Sequence, residues 1–271
     1  MTVDTMGDGP TRFASRYETV LVPVIFRPWA RELIRRADPR DGEHILDLGC
    51  GTGVVTREVA AAGARPGSLT GVDYNGDMLA EARARSEEAG VEATWIEADA
   101  AELPVPDDCF DVAFCQQAFQ FFPDRPAALG ELRRVMRPGG RVAFCVQTGI
   151  AENPQLRAQA ETLEKHVGPE AGAAVRAICG LPDGGVIRGL FADAGFRDVA
   201  VEKVSLTLYH PDGRAFAEGA MGGMHTGDKL SKSTEAARAA AIADFLAGLG
   251  GGYDGTAIRF PHVSNVVTAR A

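Results

Sequence analysis

Three glycines at alternate positions, Gly49, Gly51 and Gly53, follow a short apolar run that carries an acid, Asp47. A second acid, Asp73, closes the next apolar run. Glycines at this spacing let the backbone turn tightly and let a ligand approach main-chain amides with no Cβ in the way. The helical pattern beginning near Val54 points its amide end at whatever binds there. An acid about 20 residues beyond such a loop can accept from two ribose hydroxyls, so the chemistry on offer is the capture of a nucleoside. A nicotinamide-binding loop would read G-x-G-x-x-G. Counted from Gly49 the third glycine is replaced by Val54, and counted from Gly51 by Thr56, so that fingerprint fails in both registers.

Positioning such a loop requires strands that end at it. Apolar runs at 44–49, 68–73, 93–99, 110–116 and 140–147 alternate with helical spacing at 54–62, 76–89 and 126–136, the last stopped by Arg-Pro-Gly-Gly. Two further strand-like runs stand at 199–208 and 257–269, with helical stretches at 153–196 and 212–249 before them. This alternation predicts an α/β fold: a Rossmann-like, seven-stranded, mostly parallel sheet with helices on both faces and helical cap elements. The expected division is an N-terminal helical lid over 1–40, a cofactor-binding core over 41–150, and the last two strands with inserted cap helices over 151–271.

The run D-L-G-C-G-T-G, with Asp47, Gly49, Gly51 and Gly53, resembles motif I of the class I S-adenosylmethionine (SAM)-dependent methyltransferases. The segments GVDYNGDML at 71–79, EADAAELPVPDDCFDVAFC at 97–115 and LRRVMRPGGRVAF at 132–144 resemble the family's later motifs in order, over roughly the first half of the chain. They are similar to the ubiquinone/menaquinone-biosynthesis group and to related secondary-metabolite methyltransferases. The resemblance implies SAM as cofactor and S-adenosylhomocysteine (SAH) as product. It places Asp73 at the ribose, Met78 as an apolar wall, Asp99 and the Ala100 amide at the adenine, and Gln116 beside the methionine portion, with Tyr74 also among the cofactor-binding residues. It also suggests Tyr17 as a lid over the cofactor. Other readings stand beside these: Asp47 as a brace of the loop, Asp99 as a helix cap before Ala-Ala-Glu-Leu, and Met78 or Phe121 as plain core.

Methyl transfer from a sulfonium is an in-line displacement with an activated leaving group, so alignment and exclusion of water matter more than a strong base. Where many small-molecule members carry a histidine after the fourth strand, this sequence has Gln120, which orients but does not deprotonate, or is a helix-surface amide. Phe119, Phe121 and Phe122 beside it suit either an acceptor pocket or the core. His210, at the end of a predicted strand, and His225, on a glycine-flanked loop, are the candidate bases. His166 and His262 are further basic candidates, none of the four has a diagnostic spacing, and His44 belongs at the opposite rim.

The formal net charge of -9 disfavours a nucleic-acid partner, which needs a basic face. The five cysteines form no metal-ligand spacing, so no metal is expected, and Cys50, Cys115 and Cys145 read as small buried hydrophobes. No apolar run reaches membrane-spanning length and the first residues lack signal-peptide order, which leads to the expectation of a cytoplasmic protein. The expected partner is a small, partly apolar methyl acceptor, whose identity and methylated atom, like the oligomeric state, depend on the variable second half. The alternatives are a non-catalytic nucleotide-binding module that has kept the fold, and a nicotinamide oxidoreductase.

Overall fold

The fold is described by a computed structural model covering residues 17–222, 230 and 233–271. Seven strands form one sheet: β1 (His44–Leu48), β2 (Ser68–Asp73), β3 (Thr94–Glu97), β4 (Phe110–Gln116), β5 (Met136–Gln147), β6 (Arg197–His210) and β7 (Ile258–Arg270). Their order is β3-β2-β1-β4-β5-β7-β6. The pairs among β1 to β5 are parallel, and β7 runs antiparallel between β5 and β6. The expected mostly parallel, seven-stranded Rossmann-like sheet is therefore what forms. The chain reverses its direction of travel across the sheet between β1 and β4, and a ligand crevice opens beyond the carboxyl ends of strands at such a point.

The helices are α1 (Arg27–Ala37), α2 (Val54–Ala61), α3 (Gly76–Glu88), α4 (Arg125–Val135), α5 (Pro154–His166), α6 (Pro169–Ala177), α7 (Gly184–Asp193), α8 (Gly213–Gly222) and α9 (Glu235–Gly248). Short polar side chains start several of them. The Asn75 side chain accepts from the Asp77 and Met78 amides ahead of α3, Asp124 caps α4, and Asp183 caps α7. A π-helical segment, Tyr17–Phe26, leads into α1.

Side chains alternate across the sheet and build two apolar layers. Ile45, Phe114, Cys145 and Val266 face α1, α2, α5, α6, α8 and α9. Leu46, Cys115, Phe144 and Val267 face α4 and α7. The same alternation puts Asp47 of β1 and Gln116 of β4 on the first face, together with Gln147 of β5 and Ser264 and His262 of β7. The register joins Asp47 to Phe114, Gln116 to Cys145 and Gln147 to Ser264. A polar row thus runs along an otherwise apolar face near the carboxyl ends of the parallel strands.

Candidate active site

The turn after β1 is tied down at both ends. The amides of Gly49 and Cys50 donate to the Val72 carbonyl at 2.8 and 3.0 Å, and Gly53 N–H closes the turn on the Cys50 carbonyl at 2.9 Å. All three glycines adopt left-handed backbone, with φ of 68°, 54° and 76°. Space demands glycine as strongly as the backbone does. A Cβ on Gly49 would lie 2.5 Å from the Ala118 methyl, and one on Gly53 would lie 2.5 Å from the Trp95 ring. At Gly51 the nearest atom is the Met78 methyl, 3.5 Å from where a Cβ would sit, so Met78 does stand against the loop.

The two acids hold different parts of this turn. Asp73 accepts from Gly51 N–H at 2.8 Å through Oδ2 and from Asn75 N–H at 2.9 Å through Oδ1. Burial raises its carboxyl above the ordinary range, against the lowering effect of those amides. Asp47 accepts from the backbone and hydroxyl of Thr56 at 3.2 and 3.0 Å, both through Oδ2. Its Oδ1 is buried with no partner. Burial, only partly offset by Thr56, pushes the Asp47 carboxyl up to about 7.

The N-terminal segment packs on the sheet face that carries Ile45 and Phe114. The Tyr17 ring lies against Phe26, with centroids 4.6 Å apart. Burial drives its phenol well above the usual range, and the neighbouring carboxylates of Glu18, Asp73 and Asp47 act in the same direction. Arg57 of α2 bonds both the Glu18 carboxylate and the Thr52 carbonyl, joining this segment to the loop. Sequence reasoning had no signal for this pair, because Glu18 and Arg57 lie 39 residues apart.

Beyond β4 the chain turns through Gln117, a non-glycine residue at φ 55°. Gln116 Nε2 donates to the Phe26 carbonyl at 2.6 Å, so this side chain lies against the N-terminal segment beside the crevice. Gln120 is not a helix-surface amide. It is buried in a short 3-10 turn, where its Nε2 donates to the Gln117 carbonyl at 3.1 Å. Phe119 is core, packed edge-on against Phe122, Phe144 and Phe191, whereas Phe121 is exposed.

Other predicted site residues are dispersed. Tyr74 is 76% exposed at the end of β2. Asp99 accepts from Ala101 N–H at 2.9 Å within a turn that holds Ala100, and no helix follows for it to cap, so one of its oxygens stays outside that bond. His210 ends the edge strand β6, separated from β4 by β7 and β5, and its ring engages its own turn at Asp212. His225 lies outside the described residues. His44 sits at the amino end of β1 with its ring 2.8 Å from the Ser68 hydroxyl, at the rim opposite the crevice. His166 bonds Asp244 at 2.6 Å, tying α5 to α9. Cys50, Cys115 and Cys145 are buried and their thiols pushed up by burial, as small hydrophobes. Among the described residues no cluster of three His, Cys, Asp or Glu could hold a metal ion, and no helix is long and apolar enough to cross a membrane.

A model of the methyltransferase domain matches residues 45–140, the span that contains the loop, Asp73 and Asp99. Nocamycin O-methyltransferase of Saccharothrix syringae is 32% identical over 218 residues, which covers 75% of this chain and 76% of that protein. The chain belongs to the class I SAM-dependent methyltransferases. The matched span contains the loop and both acids, Asp47 and Asp73. The chain is also similar to the demethylmenaquinone methyltransferase of Thermus thermophilus, 40% identical over 116 residues, a match spanning about half of that enzyme, 51%. The phosphoethanolamine N-methyltransferase 2 of Haemonchus contortus, solved with SAM, shares the fold at a TM-score of 0.62 and 20% identity, over 98% of this chain and 58% of that one.

Proposed function

We propose that this methyltransferase transfers the SAM methyl group to an oxygen of a small, partly apolar metabolite held under the N-terminal segment and the cap helices. One observation carries the choice of oxygen. The similarity that continues past the cofactor half into the covering half is with an O-methyltransferase, whereas the demethylmenaquinone methyltransferase match covers 42% of this chain. The covering half is the part that meets an acceptor.

The residues present fit the cofactor. Asp47 Oδ1 is a buried carboxylate oxygen without a partner, which the ammonium of a methionine moiety would satisfy. The open approach to Gly51, flanked by Met78, is the kind of cradle that admits a ligand against main-chain amides. Asp73 would hold the ribose hydroxyls, Asp99 and the Ala100 amide the adenine, and Gln116, Tyr17 and Tyr74 would border the rest. When bound, SAM supplies a methyl group on a sulfonium, already activated for displacement.

The chain's own contribution is alignment and exclusion of water. Tyr17, near enough to Asp73 and Asp47 to feel their charge, and Arg57, which joins Glu18 to the loop, would keep water from the bound cofactor. Tyr17 is no base, since its phenol is held in the protonated form. Gln120, buried and amide-bonded, orients. Proton loss from the acceptor is left to water or to the acceptor's own acidity. The experiment is direct: purified protein with methyl-labelled SAM and a panel of hydroxylated, amine and carbon acceptors. Transfer confined to nitrogen or carbon acceptors would overturn the oxygen reading.

A further inference from the structure

The polar row on the covered face contains more unsatisfied amide groups than a folded interior tolerates without a partner. Gln116, Gln117, Gln120 and Gln147 are all more than nine-tenths buried, and one side-chain amide atom of each lacks a hydrogen bond. Buried polar atoms are nearly always paired, and each orphan costs free energy comparable with a lost hydrogen bond. Four such groups at the carboxyl ends of two adjacent strands, beside the SAM loop, are a site awaiting an occupant.

Their neighbours fix which way the amides face. The nitrogens of Gln116 and Gln120 each donate to a backbone carbonyl, which only accepts, so their oxygens are the free atoms. Gln117 reaches the Ser264 hydroxyl at 2.9 Å. Gln147 is set by a relay. The Trp29 indole N–H, a donor only, reaches His262 Nδ1 at 2.8 Å, so that nitrogen is bare and Nε2 carries the ring proton. The Gln147 amide lies 2.9 Å from Nε2. Two N–H groups cannot bond one another, so the Gln147 oxygen accepts from His262 and its NH2 is the group left free. Burial holds His262 at about 4, neutral at pH 7, in agreement with this assignment.

Charge is nearly absent from the row. Asp47 is the one charged side chain among the buried polar residues, and it belongs to the cofactor loop. Arg125, nearby, is engaged with the Phe119 and Gln120 carbonyls. An anionic head group would be buried there without a countercharge.

We propose that this row is the acceptor-recognition site and that it selects a neutral head group bearing both a hydroxyl and a carbonyl. The hydroxyl donates its one hydrogen to the free oxygen of Gln120, and the carbonyl accepts from the Gln147 NH2. Trp29 and His262 are positioning residues that hold Gln147 in its donating orientation. This rests on the methyltransferase reading above, and the test separates the two. SAH-saturated protein is titrated with meta-hydroxyacetophenone, with acetophenone and with meta-hydroxybenzoate, and binding is followed by saturation-transfer NMR, while SAH affinity is measured by calorimetry on the same samples. The expected result is binding of meta-hydroxyacetophenone at millimolar concentration, weaker binding of acetophenone and none of meta-hydroxybenzoate. Gln147→Met should weaken the first about tenfold, the value of one hydrogen bond, and leave SAH affinity unchanged. Should that variant not fold, Gln120→Met carries the same expectation. Tight SAH binding with no binding of meta-hydroxyacetophenone, with equal binding of the benzoate, or with no effect of either variant overturns the acceptor site and leaves the methyltransferase assignment standing. Failure to bind SAH would remove the latter.

Discussion

Replacement of Asp73 by alanine tests the cofactor site most directly, because the carboxylate is assigned to both the loop and the ligand. In the free protein it accepts from Gly51 and Asn75 amides at 2.8 and 2.9 Å. Those bonds are offset by burial of the charge, as the raised carboxyl shows, so the loss in folding stability is small, about 1 kcal/mol. For a chain of this size that lowers the melting temperature by roughly 2–4 °C. Binding suffers more. Two bonds from ribose hydroxyls to a carboxylate, at about 1.5 kcal/mol each on the low side of the charged range, sum to about 3 kcal/mol, or about 100-fold in the SAH dissociation constant. Asp73→Asn keeps an oxygen for Gly51 but turns an NH2 toward the Asn75 amide, and should fall between, at about tenfold. Calorimetry with SAH, with thermal melts as the control for folding, measures both. An alanine variant that melts normally and binds SAH within about threefold of the parent would refute the ribose assignment.

Asp47 predicts a pH dependence of a definite sign. Its folded carboxyl titrates at about 7, so between about pH 4 and about pH 7 the folded state holds a proton that the unfolded chain has lost, and stability of the ligand-free protein should fall as pH rises through that window. Cofactor binding should tighten over the same rise if the ammonium pairs with the ionised carboxylate. Asp47→Asn should flatten both profiles in denaturant melts and calorimetry, and a parent profile without slope would contradict the assignment. Gly49→Ala places a methyl 2.5 Å from Ala118 in addition to left-handed strain, whereas Gly63→Ala, at φ 91° with nothing near its Cβ, carries the strain alone. The first should melt about 5 °C or more below the second, and equal melting temperatures would show that the loop gives way. Arg57→Met leaves the Glu18 carboxylate without its cation, so amide exchange across Tyr17–Phe26 should accelerate about tenfold or more; unchanged protection would mean that apolar packing alone holds the segment.

The cofactor half is legible in sequence because its determinants are local. β2 and β4 occupy the runs read as strands, 68–73 and 110–116, and the turn at Gly49, Gly51 and Gly53 forms where backbone freedom and the absence of a Cβ require it. Asp73 reaches Gly51 because adjacent parallel strands end side by side, which the alternating pattern already implies. The other half is different in kind. Gln147 and His262 meet only because β7 inserts antiparallel between β5 and β6, and no local pattern states that order. The Trp29 to His262 bond joins residues 233 positions apart. His262 therefore looks, in sequence, like any histidine in a strand, and His210, at a strand end expected to face the site, is carried to the sheet edge by the same insertion.

That insertion also bears on how the reaction is managed. Burial moves the two groups nearest a base role in opposite directions, Tyr17 further into its protonated form and His262 further into its neutral one. His262 is held neutral with its bare nitrogen occupied by Trp29, so it cannot take up a proton without breaking the bond that fixes it. Neither group exchanges a proton near neutral pH, so the acidity of the acceptor sets whether methyl transfer is fast. Acceptors with a hydroxyl acidified by a conjugated carbonyl would then react well and simple alcohols poorly. A series of ring-substituted meta-hydroxyacetophenones should show transfer rates rising as the phenol becomes more acidic, and rates independent of acceptor acidity would require a base that these residues do not provide.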